Sequence, residues 1–217
     1  MRPTREVQEL ADAMSEALPQ LDARGQRIAI SVYRLMAAGR PVAPAEIAVA
    51  SGAAPAQVEN ALATWPAVFR DGEGRVVGFW GLTVAEMPPH QIEARGVRLW
   101  AWCAWDTLFL PEVLNTTVQV RSLSPGDQQT IELRVAGGQI ESVAPNDVVV
   151  SFLKPDAPFD SDVITSFCHF VHFFPSRASG ERWVKEHPRT FLLSLDDAFQ
   201  LGHISNRRFA TALSALI

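Results

Sequence analysis

Cysteine is scarce: Cys103 and Cys168 are the two sulfhydryls in a chain of 217 residues. A secreted domain stapled by disulfides normally carries more, and two sulfurs cannot complete a four-thiolate zinc site. No apolar run approaches the roughly 20 residues that span a bilayer. The most hydrophobic stretch, 97–114, is interrupted by Arg98, Cys103, Asp106 and Glu112. Blocks of one charge are missing as well. The net charge of -5 is spread evenly, with nine acidic and eight basic residues up to position 80 and fifteen against eleven beyond it. That leaves no basic footprint for nucleic acid. The first residues lack a signal-peptide core, so the expected location is the cytoplasm. There is no P-loop, dinucleotide-binding glycine pattern, His-Glu-x-x-His or Gly-x-Ser-x-Gly elbow, and no internal repeat.

What remains is ordinary globular material. Hydrophobic residues make up 47% and charged residues 20%, enough for a stable core in one large domain, or a small module joined to a larger one. Helical spacing of apolar residues runs over 5–17 and again over 21–38. Two short helices, 41–50 and 55–64, are separated by Ser51-Gly52. Asp71-Gly72-Glu73-Gly74 turns a hairpin between 67–70 and 75–80. Helices followed by a hairpin draw a winged helix-turn-helix outline. Its reading helix, however, offers Gln57 and Asn60 beside Glu59 and no cation, which argues against sequence-specific DNA binding.

The texture changes near Gly81. The pattern predicts a short strand over 91–97, a helix of about three turns over 98–109 closed by Pro111, and strands at 117–122, 130–135 and 148–152. A helix over 178–186, a strand at 191–195 and a final helix within 197–216 complete the reading. The expected fold is α+β: a helical, winged-helix-like part over 1–82, followed by a mixed helix-and-sheet catalytic domain over 83–217.

Two stretches carry unusual chemistry. In Leu99-Trp-Ala-Trp-Cys-Ala-Trp-Asp-Thr-Leu108, a helix would put Cys103 and Asp106 on one face. The three tryptophans would exclude water and raise the carboxyl's pKa. Residue type alone favours the plainer reading, a buried core cysteine and a locally capping aspartate. In Ser166-Phe-Cys-His-Phe-Val-His-Phe-Phe174, a helix places Cys168 and His172 on one side, and so does a strand. A core segment with histidines bonded to backbone explains those residues equally well. A structural zinc site of Cys103, Cys168 and His172, or a metal-responsive DNA-binding regulator, are the alternative readings. His90, His187 and His203 are isolated and read as surface or locally satisfied.

These two stretches resemble the catalytic segments of the organomercurial (alkylmercury) lyases. The tail at Asp197, Ala198-Phe-Gln-Leu-Gly202 and Asn206-Arg207, the N-terminal helices and the hairpin ending Val77-Gly-Phe-Trp-Gly-Leu-Thr83 are similar too, so the resemblance spans nearly the whole chain. It implies that Cys103 and Cys168 are the catalytic cysteines and Asp106 the catalytic aspartate. It further implies protonolytic cleavage of carbon–mercury bonds, with the product Hg(II) held transiently by Cys103 and Cys168 beside Asp106. No organic cofactor or resident metal is expected. External thiols would reopen the site, and Hg(II) would pass to small thiols or mercuric reductase. The substrate would arrive as a thiol adduct; neither nucleic acid nor membrane is an expected partner. The family pattern places a second cysteine and then a histidine after the later catalytic cysteine. Here those positions hold His169 and Phe170, while His172 matches a later histidine. Trp105 replaces a smaller aliphatic residue and is expected to reshape the substrate pocket. The chemistry suits a soft metal, which favours thiolate, and lowered cysteine pKa values would help it at neutral pH.

Overall fold

The computed structural model describes residues 3–209. Four helices come first: α1 (Arg5–Ala17), α2 (Ala23–Met36), α3 (Pro44–Ser51) and α4 (Pro55–Thr64). Local chemistry starts each of them. Thr4 and Asp22 accept from Val7 N and Gly25 N, as side chains at helix starts do. Pro44 and Pro55 occupy first-turn positions, where the missing N–H costs nothing. Glu46 and Gln57 reach back to the amides of Ala43 and Ala54. Val7, Leu10, Ala11 and Met14 of α1 are buried, as the helical spacing predicts.

The hairpin strands β1 (Val68–Arg70) and β2 (Val76–Phe79) follow, then β3 (Leu82–Thr83), β4 (His90–Ala94), β5 (Val97–Ala101), α5 (Asp106–Val113), β6 (Val118–Leu123), β7 (Thr130–Ala136) and β8 (Gln139–Ala144). The eight strands form one antiparallel sheet in the order β1-β2-β3-β5-β4-β6-β7-β8. Strand β6 buries Val118, Val120 and Ser122 and exposes alternate residues, the period-two pattern of a half-buried sheet. The hairpin is therefore the edge of a sheet that continues through β3 across the expected boundary at 82. Its arginines are both engaged by acids, Arg70 by Glu59 and Arg75 by Asp71 and Glu73.

A second sheet has the order β10-β9-β11, from β10 (Phe173–Phe174), β9 (Val149–Phe152) and β11 (Phe191–Ser194). Helix α6 (Val163–Ser166) and a 3-10 turn (Cys168–Phe170) lead into it; α7 (Arg177–Glu186) packs on it. Helix α8 (Leu195–Phe209) lies against α1 and α5. The rest of the expected final helix, 210–216, lies outside the described residues. The architecture is α+β.

Two expectations fail at the elements that matter most. Residues 98–109 do not form one helix: 97–101 are strand, 102–105 turn, and helix begins only at Asp106. Trp100 and Leu99 pair across β4 with Gln91 and Ile92, so sheet pairing overrides the apolar helical pattern. Pro111 sits inside α5 rather than ending it. Likewise the Cys168 stretch 166–174, weighed as helix or strand, is neither: the end of a helical turn, a 3-10 turn and a short strand.

Candidate active site

Cys103 sits on the turn between β5 and α5. Its backbone N–H donates to Asp106 Oδ2 at 2.8 Å, so the carboxylate reaches back over the helix start as in a capping box. The thiol and carboxyl thus come together through the turn, not through a shared helical face. Ala104 N donates to Val171 O at 3.1 Å, stitching this turn to the segment that carries Cys168. That segment is gripped from β9: Ser151 Oγ donates to Phe170 O at 2.7 Å and accepts from His172 N at 3.0 Å, while Ser151 N donates to His172 O at 2.9 Å. Serine inside an apolar strand is the signal that could have announced this role.

The cysteines, 65 positions apart, meet. One ligand atom from each of Cys103, Cys168 and Asp106 lies within 4.8 Å of the others. Two metal–sulfur bonds of about 2.3 Å, the length found at zinc, span a similar distance. Both cysteines are free thiols, and the three residues are 0%, 4% and 5% exposed. Burial dictates the electrostatics. It raises the Cys103 thiol well above its ordinary value. At Cys168 a hydrogen bond with Cys103 pulls the other way, yet burial and the Asp106 charge outweigh it and the pKa rises. The lowered thiol pKa values expected from the chemistry are thus absent: a water-free site penalises thiolates. Asp106 is pushed up to about 7 by burial, against hydrogen bonds from Cys103 and from the Trp102 amide. The site holds thiols beside a carboxyl that exchanges protons near neutrality.

Asp106 and Cys168 open onto an apolar cavity of about 90 Å³, walled by Trp80, Trp102, Trp105, Phe109, Phe167 and Phe209. Trp105 is fixed there by its Nε1 donating to Ala198 O at 3.1 Å.

Family models match along almost the entire chain: "Alkylmercury lyase" over residues 82–205 and "Helix-turn-helix domain of alkylmercury lyase" over 7–80. The chain belongs to the alkylmercury lyase family. It is 38% identical over 178 residues to an alkylmercury lyase of Staphylococcus epidermidis, covering 82% of this chain and 81% of that one. It is 40% identical over 171 residues to the Streptomyces lividans enzyme, with 79% and 78% covered. The Pseudomonas putida enzyme is 36% identical over 175 residues, covering 81% of each. The crystal structure of the mercury-bound form of MerB2 shares the fold, with a TM-score of 0.74 at 23% identity, over 95% of this chain and 100% of that one.

Against the family pattern, His169 is exposed beside Cys168 and Phe170 is partly buried. His172 does not join the sulfurs, so a zinc site of Cys103, Cys168 and His172 is not assembled. Its ring stacks on His90 at 5.6 Å and its Nε2 bonds His169 O. His90, expected at the surface or locally satisfied, is fully buried against Ser122 and leaves Nε2 without a partner. Strand β4 lies between β5 and β6, and that central position buries it. His187 is bonded to Trp183 O four positions back, as local satisfaction predicts, whereas His203 is held by Glu112 from the distant helix α5.

Proposed function

We propose that this alkylmercury lyase cleaves carbon–mercury bonds at Cys103, Cys168 and Asp106, in a catalytic domain over 83–217 capped by a helical part over 1–82. The observation that carries the reading is one cluster of two buried thiols and a carboxyl within 4.8 Å, at the wall of an apolar cavity. A lone structural cysteine needs neither a second sulfur nor a carboxyl.

An organomercury cation enters as its thiol adduct. One cysteine exchanges with the external thiol, which leaves with the cysteine's proton. The second thiol gives its proton to the Asp106 carboxylate and adds to mercury as thiolate. Mercury then carries two sulfurs and one carbon, and sulfur donation raises electron density on that carbon. Asp106 passes the proton to carbon. The carbon–mercury bond breaks, hydrocarbon departs, and Hg(II) stays on two sulfurs with the carboxylate restored. Raised thiol pKa values give Asp106 its task, because the proton must go to a nearby base. Holding all three groups together makes these steps intramolecular. The apolar walls suit the organic group, since an apolar cavity stays dry and takes an apolar guest.

No helix of the described residues is long and apolar enough to cross a membrane. We place the reaction in the cytoplasm, where reduced thiols are available. Those thiols, or a reductase's cysteine pair, remove Hg(II) and reopen the site; no organic cofactor takes part. The test is to incubate reduced protein with phenylmercury and excess thiol and measure benzene in the headspace. Benzene accumulating over many turnovers supports the reading; none above a heat-inactivated control rules it out for that substrate.

A further inference from the structure

The catalytic carboxyl is touched from the N-terminal side, by residues the chemistry above does not use. Helix α2 carries Tyr33, whose buried hydroxyl donates to Trp80 O at 2.7 Å, and whose ring meets Phe79 edge-on at 4.9 Å. Trp80 and Gly81 form the link between β2 and β3, with φ of 31° and 92°. Two consecutive residues in the left-handed region are unusual, and the first is not glycine. Three hydrogen bonds hold them: Tyr33 on Trp80 O, Trp80 Nε1 on Pro66 O at 2.8 Å, and Trp102 N on Gly81 O at 3.0 Å. The result is a close approach. A Cβ at position 81 would stand 2.6 Å from Asp106 Oδ1 and 2.7 Å from its Cγ, so only glycine fits. One carboxyl oxygen is thus pressed against Gly81 while the other takes the Cys103 amide.

We propose that Gly81 and Tyr33 are positioning residues for Asp106: Gly81 backs the carboxyl directly, and Tyr33 holds Gly81 there through the carbonyl of Trp80. This rests on Asp106 being the proton carrier. It also gives the helix-turn-helix part, whose reading helix α4 carries no cation, a task in the reaction. That part supplies the back wall of the carboxyl's cage. A misplacement on the order of 1 Å in such a site costs about 100-fold in rate, so a side chain at 81 should be far more damaging than loss of one supporting hydroxyl.

Tyr33→Phe removes one oxygen and keeps the ring on Phe79. It is to be compared with wild type and Gly81→Ala in single-turnover cleavage of phenylmercury, steady-state KM and retention of Hg(II) by the protein. Tyr33→Phe should slow the chemical step about 3- to 10-fold, the effect of one hydrogen bond. Its KM and one-to-one Hg(II) retention should stay at wild-type values, and its solvent deuterium isotope effect should rise as proton delivery becomes limiting. Gly81→Ala should lose about 100-fold in the same step while still retaining Hg(II). An unchanged Tyr33→Phe single-turnover rate overturns the proposal, whether or not Gly81→Ala folds. So does a loss shared equally by cleavage and Hg(II) retention, which would mark a general structural role. Two controls separate this failure from that of the underlying reading: wild type must cleave, and Asp106→Asn must be slow.

Discussion

Replacing Asp106 by asparagine tests the poised carboxyl without reference to catalysis. Asp106 has its midpoint moved from the ordinary 3.8 to about 7 by burial. A carboxyl whose pKa is raised on folding binds its proton more tightly in the native state. Its contribution to stability is therefore present below pH 3.8 and lost as pH climbs through about 7. At about 1.4 kcal/mol per pH unit, that rise amounts to on the order of 4 kcal/mol of lost stability above neutrality. Asparagine does not ionise, and its amide oxygen can still accept from Cys103 N. Denaturant unfolding of both proteins from pH 4.5 to 8.5 should give a difference that grows with pH in favour of Asp106→Asn, by about 3–4 kcal/mol across the range. A difference that is flat with pH would mean that the carboxyl is ionised throughout, and the proton relay as described would be wrong.

Three further outcomes follow from the geometry. Cys103→Ser and Cys168→Ser should each abolish nearly all turnover and weaken Hg(II) retention; either variant keeping full turnover would refute the two-thiolate step. Ser151→Ala removes the hydroxyl that bonds Phe170 O and His172 N and should cost about 2 kcal/mol in unfolding experiments, with slower cleavage; an unchanged midpoint would show that the Cys168 turn needs no such support. His172, lowered to about 4 by burial with a further contribution from neighbouring His169 and His187 charges, favours folding in its neutral form. Stability from this group is full above about pH 6.5 and is lost as pH falls through 4. His172→Leu should therefore lose less stability than wild type on acidification over that window; parallel curves would count against a neutral, half-buried ring.

The N-terminal helices were legible because their starts are written locally: Pro55 opens α4 and Thr4 caps α1, and the apolar face of α1 keeps a single period. The candidate site's members were named through the resemblance, while its shape was not legible. Cys103, Asp106 and Cys168 stood out through the resemblance, yet the residues around Cys103 read as helix because Trp100, Trp102 and Trp105 suit a helix face as readily as a strand and turn. Pairing of β5 with β3 and β4 decides the matter, and no local pattern encodes a partner strand. Tyr33, Gly81, His90 and Ser151 stayed hidden for the same reason: their roles are contacts across long separations, such as Tyr33 to Trp80 and His90 to His172. The thiol pKa values lie above the ordinary range because burial, which a sequence does not report, penalises the thiolates and the Asp106 charge adds to the rise.

Mercury X-ray absorption on the protein frozen after one turnover of phenylmercury, with external thiol removed, addresses the pairing of the sulfurs most directly. Two sulfur neighbours and no carbon at the metal are predicted for wild type, with that signature lost in Cys168→Ser. A metal still bonded to carbon, or a two-sulfur centre that survives removal of either cysteine, would contradict the account.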